Sequence, residues 1–394
     1  MLIKAVAIFI TVALCFQRIF LAVGSIAWGL SIAISLYLIF KQYKQGELKR
    51  LDEEYKKHYK AIGICFFSML PGILISGNIP HSVAMFSEMW LYYVFPIIFA
   101  PLIIKNSKML KKILLVFGVS FMIDCLVAGY QMYLNFGHVA SGVKGHHNFL
   151  GSITAILTPL LCVVCLDKRF TKKERIFAFA MLVCTIIGNI ATASRAAWVC
   201  VIIVVPLVCI YYIIQDKKKL LCSLLVVVAV GGFFVSSEKF SQRLSSTSNV
   251  TTNMSNLERI HMWNTCMYMI KDHPFGVGLG QFKEVYDRDY QPIYATPRST
   301  IRMPHVHNIY IQIFVEGGII GFLGFMYMSL YILWRSFYDW IKTKDAYSLM
   351  IFGGWLTFLL YGIFDYIVDF SSTTKMWWFI LGALLVFRQE ERRG

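Results

Sequence analysis

Long apolar runs separated by short basic loops dominate this chain. A membrane helix needs roughly 17–25 mostly apolar residues. Runs of that kind fall at about 3–17, 19–40, 61–77, 88–104, 113–134, 149–166, 176–193, 196–214, 220–236, 309–334, 347–368 and 376–387. The first two are divided only by Gln17-Arg18, and the last is short. The pattern predicts an all-α polytopic membrane protein with about twelve spans, one integral membrane domain over residues 1–394. Its long polar stretch, residues 237–306, forms a loop subdomain between the ninth and tenth spans.

Within that loop, residues 256–271 have helical periodicity, with Asn256 placed to cap the helix and Pro274 to end it. Ile260, Trp263, Met267 and Ile270 form one stripe, and Cys266 lies beside it. Arg259, four residues before Trp263, falls on the apolar face rather than opposite it. A cation there needs an anionic partner such as a lipid head group, unless its stem simply carries the charge to water. Gly276-Val-Gly278-Leu-Gly280 follows a helix rather than a strand, so it reads as a turn and not as a nucleotide loop. Arg298, Arg302 and His305 line the approach to His307.

The composition fits this reading: 57% of residues are hydrophobic and the mean hydropathy is +0.61. A net charge of +16 would suggest nucleic acid in a soluble protein. Here the lysines and arginines fall in alternate loops, seven in 41–60, four in 105–112 and five in 167–175. The intervening short loops hold only Arg18, Lys144, Arg195 and Lys375. By the positive-inside rule both termini are cytoplasmic and the 237–306 loop faces outward. The charge is therefore a topology signal, and nucleic acid is dropped as a partner. Nine of ten cysteines lie in expected spans and only Cys266 in the outer loop, which excludes a disulfide framework there. The first span reads as retained rather than cleaved.

His307 opens the tenth span, and Ile311, Phe314, Gly318 and Gly321 share its helical face. Glycine lets a neighbouring backbone approach closely, which would fix the helix beneath the imidazole. Asn308, Gln312 and Glu316 make a separate polar stripe. At the start of the eighth span, Ser194 is placed to cap and Arg195 sits in the first turn. An arginine there opposes the helix dipole, but with free N–H groups it makes a phosphate pocket. Arg195, Arg259 and His307 would thus meet at one level of the membrane, two cations and a base. Each alone also reads as an interfacial anchor. His146 and His147 are adjacent and point apart, His305-Val-His307 is a similarly weak metal pair, and no Asp-x-Asp pair lies on the outer side, so no metal is expected. Asp365 or Asp369 could orient His307 or pair with an arginine; Asp124 lies deep in its span.

His307-Asn308, nine residues, Gly318, two residues, Gly321 resembles the signature of the O-antigen ligase family, within the wider O-antigen polymerase and ligase superfamily. Arg259…Trp263…Asp272-His-Pro274-Phe-Gly276-Val-Gly278, Ser194-Arg195…Trp198 and Asn148-Phe-Leu-Gly151 are similar to family segments too. The likeness covers roughly 140–325. It implies a GT-C-like glycosyltransferase of a Gram-negative inner membrane, with a large periplasmic loop before the histidine helix. The implied reaction moves O-polysaccharide from undecaprenyl pyrophosphate onto a sugar hydroxyl of lipid A–core, with inversion and without ATP, metal or cofactor. His307 would be catalytic and Arg195 and Arg259 would bind pyrophosphate, with Arg302, His305, Asn308 and His147 as further substrate contacts. The rivals are an O-antigen polymerase and a lipid-linked oligosaccharide transporter.

Overall fold

The computed structural model describes residues 1–17, 19–45, 53–104, 106–134, 139–143, 145–214, 254–294 and 304–393. The expected span at 220–236 and the residues Arg298 and Arg302 lie outside the described residues. Among the described residues the chain is helical throughout: α1 (Leu2–Phe16), α2 (Leu21–Lys44), α3 (Glu53–Leu74), α4 (Ile79–Ile104), α5 (Ser107–Leu134), α6 (His147–Leu166), α7 (Lys172–Ala191), α8 (Arg195–Ile214), α9 (Met254–Asp272), α10 (Ile309–Thr343), α11 (Ala346–Tyr361) and α12 (Ser371–Arg393). Seven of these, α2, α4 to α8 and α10, are long and apolar enough to cross a membrane, and α1 and α11 are shorter apolar helices. The molecule is a polytopic membrane protein.

The helices do not contribute equally to the interior. In α6, every residue from Leu150 to Leu161 is buried. In α12, the run Met376–Phe387 is buried without interruption, and at Gly382 the absent side chain lets the helix lie against the Ile97 carbonyl. The short, weak final span of the sequence pattern is therefore a central helix. Its neighbours cover it all round, so it needs no lipid-facing apolar stripe. The outside of the bundle is the reverse: Ile202, Leu207, Ile210 and Ile214 of α8 are more than half exposed. Such a surface suits acyl chains, against which helix backbones must satisfy themselves internally.

The 41–60 basic region lies partly outside the described residues. Its described parts continue α2 out to Lys44 and start α3 at Glu53. At the same end of the bundle Thr171 and Glu174 form a reciprocal capping box on α7. There Asp339 gathers Arg335, Arg388 and Arg392 at 3.0, 3.1 and 3.7 Å.

At the opposite end, α9, residues 274–294, Val306 and the start of α10 build a second, smaller core of Met262, Cys266, Met269, Val277, Phe282, Tyr286, Tyr290, Val306 and Val315. The buried face of α9 is thus Met262, Cys266 and Met269, with Trp263 at its edge, whereas Met267 is 42% exposed. The expected stripe is rotated by about one residue, and Arg259 stays in register with the true buried face.

Candidate active site

The local backbone explains how His307 comes to sit where it does. Asn308, not His307, caps α10, its Oδ1 accepting from the N–H groups of Tyr310 and Ile311 at 2.9 and 3.0 Å. His307 precedes the cap with φ +53°, a left-handed conformation uncommon for a residue with a side chain. The reading of His307 as the first residue of a helical face is corrected accordingly. Three contacts fix the strained turn. Ile309 N–H donates to the Gly362 carbonyl at 2.7 Å, the Asn308 amide to the Ile363 carbonyl at 3.1 Å, and Val306 N–H to Gln312 Oε1 at 2.7 Å. The start of α10 is thereby stapled to the end of α11, and the chain following α11 delivers Asp365.

Gly318 is also more than a packing residue. It breaks α10 with φ +63° and ψ −169°. The carbonyls of Val315 and Glu316 are released to accept from Val277 and Gly278 N–H at 2.8 and 3.2 Å, while Ile319 N–H donates to the Pro274 carbonyl at 2.9 Å. A Cβ on Gly318 would lie 2.1 Å from the Phe275 carbonyl carbon, and one on Gly276 2.5 Å from the Glu316 oxygen. The loop subdomain is therefore docked backbone to backbone into a gap in the helix. Of the expected seam, Gly321 meets Met69 of α3; Gly324, not singled out in the sequence, meets Ser68.

Asp365 is the centre of the site, and its side chain is 3% exposed. Its Oδ1 lies 2.8 Å from His307 Nδ1, accepts from Tyr366 N–H at 2.9 Å, and lies 3.3 Å from His305 Nε2. Its Oδ2 accepts from the Asn148 amide at 3.0 Å. Asn148 Oδ1 accepts from Ser194 Oγ at 3.3 Å, and the Tyr361 hydroxyl donates to the Asn148 carbonyl at 3.1 Å. One connected network thus joins the starts of α6, α8 and α10 to the end of α11. Ser194, expected to cap α8, turns its hydroxyl into this network, after Ala193 at φ +48°.

Arg195 is half-buried at the first position of α8, directly after Ser194. Arg259 is half-buried on α9, and its charge reaches His307. His147, half-buried, opens α6 with its ring 4.0 Å from that of His146. The two adjacent rings lie together rather than pointing apart. Asn308 serves as the cap described above.

The electrostatics are asymmetric. Burial is the largest influence on His307 and holds its pKa below the ordinary 6.5; the nearby charges of His305 and Arg259 act in the same sense, and Asp365 acts against them. Asp365, although burial alone would raise it, is held far below the carboxylate range by His305 beside it and by the hydrogen bond from His307. With Nδ1–H assigned to the Asp365 bond, Nε2 of His307 is the basic nitrogen. His305, His307 and Asp365 bring potential ligand atoms within 4.8 Å of one another. Sequence reading weighed the two histidines without an acid, because Asp365 lies 58 residues further on. In the hydrogen-bonded arrangement His307 Nδ1 carries a proton and is not a ligand.

The two deep acids have plain duties. Asp124 Oδ1 accepts from Val143 N–H at 2.7 Å, and Glu316 Oε1 from Phe282 N–H at 3.3 Å. Each ties a loop to the bundle.

The family described as O-antigen ligase matches residues 177–326, a stretch that includes Arg195, Arg259 and His307. The match supports membership of the O-antigen ligase and polymerase family. An uncharacterized protein of Haemophilus influenzae (strain ATCC 51907 / DSM 11121 / KW20 / Rd) is 25% identical over 298 residues, 72% of each chain.

Proposed function

We propose that this protein is an O-antigen ligase: an inverting glycosyltransferase that moves O-antigen polysaccharide from undecaprenyl pyrophosphate to a sugar hydroxyl of lipid A–core. The observation that carries the reading is the His307–Asp365 pair at 2.8 Å, on which the charge of Arg259 of the loop helix acts. The alternating basic loops support cytoplasmic termini and a periplasmic site in the inner membrane.

The chemistry follows from charge. Pyrophosphate is already a good leaving group, so the reaction needs no general acid. Negative charge grows on its oxygens in the transition state, and Arg195 and Arg259 are the cations suited to receive it. A well-placed donor of this kind contributes about 2.7–4 kcal/mol in other enzymes. The acceptor hydroxyl must lose its proton as it attacks, and His307 Nε2 takes it. Asp365 holds the ring in one tautomer and stabilises the imidazolium that forms. Direct attack from the face opposite the pyrophosphate inverts the anomeric centre.

The deep carboxylates count against a transporter. Transporters place ionisable groups at the bilayer midplane for their cargo, whereas Asp124 and Glu316 here hold loop amides. The test is reconstitution of the purified protein with lipid-pyrophosphate-linked glycan and lipid A–core, without nucleotide or divalent cation. Transfer to the core is the expected result, and no transfer under these conditions overturns the reading. Deleting the gene separates ligase from polymerase: core-only lipopolysaccharide marks a ligase, core plus one repeat a polymerase.

A further inference from the structure

The reaction above leaves His305 without a part. Its ring lies 4.4 Å from that of His307. Its Nε2 is 3.3 Å from Asp365 Oδ1, the same oxygen that holds His307 Nδ1 at 2.8 Å. Its Nδ1 is 3.8 Å from Asp369 Oδ2. Two imidazoles therefore share one carboxylate oxygen, at a separation where both cannot be charged without strong mutual repulsion.

The surroundings of the two rings decide which is protonated first. His305 faces Asp365 and Asp369, with the Tyr366 ring at 6.0 Å. Glu88 of α4 adds its negative charge near Asp369. His307 faces Asp365 as well, but the positive charge of Arg259 acts on it in the opposite sense. His305 is bracketed by two carboxylates, while His307 pairs with one and is acted on by a cation's charge.

We infer that His305 is a positioning residue that takes the first proton of the imidazole pair and so keeps His307 neutral, and able to act as base, at mildly acidic pH. The inference rests on the transfer reading above. Protonated His305 donates Nε2–H to Asp365 Oδ1, and its charge discourages a second proton on His307. No proton is consumed over a cycle: the one held by His305 stays there while His307 accepts and releases the acceptor's proton.

The experiment is the pH–rate profile of glycan transfer by the full-length protein, each variant scaled to its own alkaline plateau. In His305→Asn, the first proton goes to His307 instead. The acid limb should move to higher pH by about half to one unit, so the scaled rate below it falls roughly three- to tenfold relative to wild type. His305→Lys restores a fixed charge at that position and should return the limb to its wild-type place or lower. His305→Gln replaces His305→Asn where the latter accumulates poorly. Unmoved limbs in both amide variants, or a fall of equal size at every pH, overturn the proposal while leaving the ligase reading intact. Absence of transfer by the wild-type protein overturns both.

Discussion

A histidine at φ +53° just ahead of a helix cap is a strained placement, of a kind that concentrates at functional positions. Asp365 is what makes it useful. Removing the imidazole should abolish transfer in His307→Ala while donor binding persists, as measured by retention of radiolabelled lipid-linked glycan. Asp365→Asn should lower kcat by about 10²–10⁴-fold, by analogy with the loss of an orienting carboxylate elsewhere. The pH dependence has a definite sign. Neutral His307 is the active form and its pKa lies below 6.5, so activity holds at neutral pH and falls as pH drops through the lowered value. Asp365 pulls that pKa upward, so Asp365→Asn should move the acid limb to lower pH. A rate profile from about pH 4 to about pH 8, which brackets the ordinary imidazole value of about 6.5, would reveal the move. Arg259→Lys keeps the charge but loses the planar fork, and a loss of about tenfold or more in transfer is expected. A rate within twofold of wild type would remove Arg259 from the phosphate contacts. His307 was legible in the sequence because its glycine spacing is local. The duty of Asp365 was only one of several options, because its partner sits on another element.

Elements show the same divide. The helix over 254–272 was expected from its periodicity, but its buried face was placed one residue away. Trp263, Met267 and Ile270 make as good a stripe on paper as Met262, Cys266 and Met269 do in the fold. Apolar residues occur all round this helix, so period alone does not choose between faces. Gly318 and Gly321 of α10 were expected to form a packing seam. Gly321 does so, whereas Gly318 is a break into which residues 274–278 dock. Gly318→Ala should therefore cost more than the ~1–3 kcal/mol of a strained backbone alone, because the methyl would also overlap the Phe275 backbone. The expected readout is loss of proteolytic protection of α9 at temperatures where wild type resists. Gly321→Ala, facing the adjustable Met69 side chain, should be much milder.

At the scale of the whole molecule, the site is a meeting of chain segments far apart in sequence. Asn148, Ser194, His307, Tyr361 and Asp365 come from the starts or ends of α6, α8, α10 and α11. If the basic loops mark the cytoplasm, all of these lie on the outer face. A cysteine at the exposed Tyr268 should then be labelled by a membrane-impermeant maleimide in intact spheroplasts. A cysteine at the exposed Glu390 should be labelled only after permeabilisation. Equal labelling of both would contradict the orientation. Because His307 carries its Nδ1 proton into a hydrogen bond, transfer should also persist in EDTA at an unchanged rate, checked by endpoint glycan attachment.

Hydropathy, loop charge and a short glycine-spaced motif were enough to determine a helical membrane protein and to name the histidine and arginines to suspect. These depend on local composition and on periods of a few residues, which a linear chain records directly. Only the folded molecule decided that Asp365 serves two imidazoles, that Gly318 opens a helix to admit a loop, and that the weak final helix lies at the centre. Those outcomes depend on which distant segments share space, and the sequence constrains that only through packing of the whole chain.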